Sequence, residues 1–114
     1  NEQPPIFGTG KQSRDFTYID NVVQANILAA TTPDITHEVF NVANGKDTTV
    51  LQIVDSLNKI LGKNIKPQFL PIRAGDVFRT LADISKIQKL LRFNPAVDFD
   101  DGLKRTVAYF RSIG

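Results

Sequence analysis

Residues 6–19 read Ile6-Phe7-Gly8-Thr9-Gly10-Lys11-Gln12-Ser13-Arg14-Asp15-Phe16-Thr17-Tyr18-Ile19, and the fold is read outward from this stretch. Gly8 and Gly10 mark a turn whose backbone needs angles that other residues avoid. Arg14 to Ile19 is rich in β-branched and aromatic residues, which predicts a strand with Phe16 and Tyr18 on one face. The runs on either side of the turn then make a hairpin. Backbone N–H groups in such a turn can face an anion, and Arg14 adds a planar fork that matches phosphate oxygens. The competing reading is an ordinary hairpin with Arg14 in a surface salt bridge. A Walker loop is excluded, because no Gly-Lys-Ser/Thr ending opens a helix.

Beyond the stretch, Asp20 is placed to cap a helix over residues 21–30, with Val22, Val23, Ile27 and Ala30 at helical spacing and Pro33 past its end. Residues 38–43 (EVFNVA) read as a short buried strand ended by Asn44-Gly45. Thr48 or Thr49 caps a second helix, whose stripe is Leu51, Val54, Leu57 and Leu61 and whose stop is Gly62. Residues 65–72 (IKPQFLPI) are extended, with prolines that suit a sheet edge. Asp83 caps a short helix with Ile84, Ile87, Leu90 and Leu91 on one side. Asp98 and Asp101 form a capping-box variant opening a last helix, with Leu103, Val107 and Phe110 inward and Arg111 near its negative end. The alternation predicts a mixed α/β (α+β) fold, with short strands between about four helices.

A second charged constellation is Arg73-Ala74-Gly75-Asp76. Arg73 can clamp a phosphate, and the Asp76 carboxylate, an acceptor only, suits sugar or ribose hydroxyls. The competing reading is a turn closed by an Asp bonded to its own backbone. Arg79 is either a third cation or a solvated one.

Composition excludes several functions. The 14 basic and 12 acidic residues are interspersed, so nothing points to nucleic acid or a membrane surface. With no Cys and one His, His37 in a loop, a disulfide framework or a transition-metal site is excluded. The missing cysteines suit a reducing cytosol, and a cytoplasmic location is expected. No apolar run nears the ~18 residues that span a bilayer. Ser13, Ser56, Ser85 and Ser112 lack a nucleophile-elbow context, and Tyr18 and Tyr109 read as packing residues. The chain has no Met, so a piece cut from a longer protein is expected.

Taken together, the motifs resemble one family. Gly8-x-Gly10-x-Gln12-x-Arg14-Asp15-Phe16-Thr17-Tyr18-Ile19-x-x-Val22 is similar to a signature past the middle of extended short-chain dehydrogenase/reductases, the NAD-dependent epimerase/dehydratase family. Phe40-Asn41-Val42-Ala43-Asn44-Gly45, Arg73-x-Gly75-Asp76, Ala82-Asp83-x-Ser85-Lys86 and a terminal helix with Gly102-Leu103 and Tyr109-Phe110 follow in the family's order. UDP-glucose 4-epimerase-like members are the subgroup it resembles. The resemblance implies the C-terminal part of a Rossmann-type fold, with residues 1–114 as a single substrate-binding fragment and the N-terminal NAD-binding domain absent. It implies that Arg14 and Arg73 contact the diphosphate of a nucleotide sugar, a UDP-sugar, and that Asp76 binds ribose hydroxyls. Each guanidinium contact is worth roughly 1.5–3 kcal/mol. Thr9 stands where the family often has Asp.

The glycine fingerprint for a dinucleotide and the Tyr-x-x-x-Lys pair are missing: Val22 follows Tyr18 by four residues, and Ile113 follows Tyr109. No catalytic or metal-binding residue is therefore assigned. NAD belongs to the parent enzyme, a homodimer by the same resemblance, and the chain is expected to be inactive alone. It is also expected to leave Val22, Val23, Ile27 and Val42 partly exposed. Other readings are a piece of a nucleotide-sugar 4,6-dehydratase or decarboxylase, a binding module without chemistry, and an interaction domain.

Overall fold

The computed structural model describes residues 1–114. In chain order the elements are β1 (Pro5–Phe7), β2 (Ser13–Arg14), α1 (Ile19–Thr31), β3 (Thr48–Thr49), α2 (Val50–Leu61), β4 (Gln68–Leu70), α3 (Ser85–Leu91) and α4 (Phe99–Ile113). The architecture is mixed α/β, with four helices and short strands. The chain forms two compact units, each built from two stretches: residues 1–14 with 47–80, and residues 15–46 with 81–114.

In the first unit, β1 runs parallel to β4, with Ile6 opposite Phe69, and β2 runs antiparallel to β3, with Ser13 opposite Thr49. The expected hairpin across Gly8–Gly10 does not form, because the carbonyls of the turn are used elsewhere. Gly10 O accepts from Leu51 N and Gln12 O from Val50 N, both at 3.0 Å, so the turn satisfies backbone donors at the start of α2. Gly10 has φ +77°, and a Cβ there would lie 2.7 Å from Leu51 Cγ, so conformation and space both demand glycine.

Thr49 caps α2 with a full box: its hydroxyl accepts from Gln52 N at 3.1 Å, and Gln52 Oε1 accepts from Thr49 N at 2.8 Å. Gly62 ends the helix in the left-handed region. The stripe Leu51, Val54, Leu57 and Leu61 is half-buried. The edge segment narrows to β4, paired on one side only, to β1.

The second unit holds most of the core: Ala25, Ala43, Ile84, Ile87, Leu91 and Phe93, with Leu28, Ile35, Phe40, Val42 and Ala82 packed against them. The strand expected through Phe16 and Tyr18 stops at Arg14. Asp15 turns the chain instead, its carboxylate accepting from Asn44 N at 2.9 Å and Gly45 N at 2.8 Å. Phe16 then packs on Phe99 and Tyr18 on Gly102. Asn21 is fully buried; its amide donates to Asn44 Oδ1 and Val97 O and accepts from Val97 N.

α1 begins at Ile19, so Asp20 lies in its first turn rather than capping it, and pairs with Arg105 at 3.3 Å. Residues 38–43 are not a strand. No neighbouring strand offers them a ladder, and Lys86 holds them by bonding Glu38 Oε2 and Val39 O and facing the Phe40 ring. Asp83 accepts from Ser85 N just ahead of α3, while Ile84 occupies the cap position. Asp98 caps α4 through Asp101 N at 2.8 Å, but the Asp101 carboxylate turns to Arg105 instead of returning to the cap. Leu103 and Val107 face inward, whereas Phe110 is 62% exposed. On α1, Val23 and Ile27 are exposed beside Ile19, while Val22 is half-buried and Val42 packs on the core.

Candidate functional site

Arg14, Arg73 and Asp76, the residues singled out for a ligand, and Arg79 all lie in the first unit. Arg14 sits in β2, half-buried, and its Nη1 donates to Ser13 O at 2.7 Å. Arg73 is exposed, and its guanidinium lies 3.6 Å above the Phe7 ring centroid. Stacking of this kind uses the face of the guanidinium and leaves its in-plane N–H donors pointing outward. Asp76 is exposed too; its backbone N–H donates to Arg73 O at 3.3 Å across Gly75, which has φ +85°. One glycine turn thus joins Arg73 and Asp76.

That turn lies within a strap, residues 71–80, every one of them exposed. The strap is tied at both ends. At its start, Gly8 N donates to Leu70 O at 2.9 Å beside the β1–β4 ladder. At its end, Ser13 N donates to Phe78 O at 2.9 Å, and Thr80 N donates to Ser13 O at 3.1 Å. The far anchor is therefore Ser13, the strand neighbour of Arg14.

Sequence reasoning missed the side-chain cluster at this anchor. Arg79 Nε donates to Asp47 Oδ2 at 2.7 Å and Nη2 to Oδ1 at 3.3 Å, a two-point pair. The buried Ser13 hydroxyl donates to the same Asp47 Oδ2 at 2.6 Å. The Arg79 hydrogen bond and then the Ser13 hydroxyl hold the Asp47 carboxyl down at about 2, and the pair raises Arg79. Nothing local announced the cluster. Asp47 follows Lys46 in a loop, and its partners are 34 and 32 positions away. The choice left open for Arg79, third cation or solvated side chain, resolves as an ion pair.

Other motif residues are structural. Asp15 organises the Asn44-Gly45 turn, and Asp83, Ser85 and Lys86 secure the start of α3 and residues 38–40. His37 is exposed, and no three His, Cys, Asp or Glu residues gather in a metal-binding group. No helix is long and apolar enough to cross a membrane.

Gly8–Gly10 is not the glycine turn of a dinucleotide cofactor. The cofactor's cradle needs a strand, a glycine turn and a helix in direct succession, so that the helix N-terminus faces the pyrophosphate. Here Gly8–Gly10 follows β1 but leads into β2.

Comparison with known proteins gives the family. The model describing GDP-mannose 4,6 dehydratase matches residues 1–106. A UDP-glucuronate 4-epimerase of Thermodesulfobacterium geofontis is 41% identical, over 93% of this chain and 33% of its own. The crystal structure of a UDP-glucose 4-epimerase from Thermotoga maritima with UDP-glucose superposes with a TM-score of 0.90 at 42% identity, over 98% of this chain and 36% of that one. A UDP-glucuronic acid 4-epimerase from Bacillus cereus, in complex with UDP-glucuronic acid and NAD, gives 0.89 at 38% identity, over 97% and 36%. The chain spans about a third of the length of the relatives it matches. Matched by that family model over its residues 1–106 and sharing the fold of these epimerases, the chain belongs to the epimerase/dehydratase family of extended short-chain dehydrogenase/reductases.

Proposed function

We propose that this chain is the nucleotide-sugar grip of a UDP-sugar 4-epimerase. Arg14 and Arg73 supply guanidinium forks to the diphosphate, and Asp76 accepts hydrogen bonds from ribose hydroxyls. The observation that carries the proposal is the likeness, over 98% of the chain, to an epimerase solved with UDP-glucose. The chemistry supports it. A diphosphate carries at least two negative charges, and two planar cations answer it with charge-assisted hydrogen bonds. Arg73 is held over the Phe7 ring, which lowers the entropy lost when it engages an anion.

Hydride transfer belongs to NAD held by other parts of the parent enzyme, a cytoplasmic homodimer in this reading. These 114 residues bind and orient the nucleotide, and alone they do not turn over a sugar. Titration of the 15N-labelled chain with UDP tests the grip. Amide shifts around residues 14, 73 and 76 are expected, and Arg14→Ala with Arg73→Ala should abolish them. A response that survives the double substitution would place the ligand elsewhere.

A further inference from the structure

The strap bearing Arg73 and Asp76 makes one internal hydrogen bond, from Asp76 N to Arg73 O, and is exposed along its whole length. Its geometry is therefore set where it is tied. At the start the tie is backbone pairing to β1. At the end, Ser13 contributes one backbone bond in each direction, and the side chains add three more: two from Arg79 to Asp47, and one from Ser13 to Asp47. Asp47 thus joins two things at once, the last residues of the strap and the strand residue beside Arg14. Were its side chain absent, the Ser13 hydroxyl would lose its acceptor; were it only neutral, the charge-assisted pair would be lost and Arg79 would be free to draw the strap outward.

We propose that Asp47 and Arg79, with Ser13, are positioning residues for the diphosphate grip: they fix the end of the 71–80 strap against β2 and so set where Arg73 and Asp76 stand relative to Arg14. This rests on the reading of Arg14 and Arg73 as the grip. None of the three anchors touches the ligand in this scheme. Arg79 Nε and Nη2 are engaged by the two Asp47 carboxylate oxygens, which hold its guanidinium at the strap's end. A small loss of register matters because two forks must reach one pyrophosphate together, and misplacing either loses part of both contacts.

The test measures the UDP affinity of the 114-residue chain in Asp47→Asn, Arg79→Gln, the double variant Asp47→Asn/Arg79→Gln and the exchange Asp47→Arg/Arg79→Asp. Each single change is expected to weaken UDP about tenfold, the double no further than either, and the exchange to recover most of the loss, as for two partners of one interaction. Heteronuclear spectra of each variant in the absence of UDP verify that it is folded.

Wild-type affinity in both single variants, with only thermal stability lowered, would show a purely structural pair and overturn the inference. Weakening by Arg79→Gln but not by Asp47→Asn would overturn it too, by making Arg79 a direct ligand. Failure of the underlying reading looks different: the wild-type chain would not respond to UDP, or would respond equally after Arg14→Ala and Arg73→Ala.

Discussion

Gly10 shows how one residue carries a motif. Its positive φ and its closeness to Leu51 leave no room for a side chain, so Gly10→Ala should cost about 2 kcal/mol, read as a lower urea midpoint. Asn21→Ala should cost about 3 kcal/mol, because Val97 N–H and C=O would both lose their buried partner. An unchanged midpoint would mean that water replaces the amide. Asp47 makes a pH prediction. Its folded pKa, about 2, lies below the ordinary 3.8, so its contribution to stability is fully present above pH ~4 and fades as pH falls toward 2. Acid unfolding of Asp47→Asn should therefore lack that part of the wild-type pH dependence; superimposable profiles would contradict the pairing. Arg14, Arg73 and Asp76 stand out in the sequence because a glycine turn beside a charge is a local pattern. Asp47 does not, because a long-range ion pair leaves no trace in its neighbours.

At the scale of elements, the helices were readable, whereas of the strands only the places of β1 and the edge strand β4 were, not their pairing. The stripe of α2, its Thr49 cap and its Gly62 stop all sit where spacing put them. Thr49→Ala should lower stability by about 1 kcal/mol, measured by urea denaturation, and no loss would mean that Gln52 alone secures the end. Strands of two or three residues carry too little alternation to set their bounds, and their pairing depends on distant partners: β1 joins β4, across most of the first unit's sequence. The stretch 38–43 has strand composition but no ladder, and Lys86 fixes it through side-chain bonds instead. Within helices, depth decides cost. Ile87→Ala in α3 should lose about 3 kcal/mol, whereas Ile27→Lys on the open face of α1 should stay within about 0.5 kcal/mol.

For the whole molecule, the order of motifs along the chain was enough to indicate the family, though none of them singly was. The division into two units, each from two stretches, was not visible, since its boundaries at 14/15, 46/47 and 80/81 fall in segments without a break in composition. The three residues proposed to hold the ligand fall in one of these units, and most of the buried core falls in the other. Mixed with NAD and UDP-glucose, the chain should form no epimerised sugar, and detectable product would refute its description as a grip without catalytic machinery. The most direct test is a crystal structure of the chain with UDP. The account predicts both guanidiniums, of Arg14 and Arg73, within about 2.7–2.9 Å of oxygens of the one diphosphate, with the Asp76 carboxylate on the ribose. An ordered UDP bound away from either arginine would contradict it.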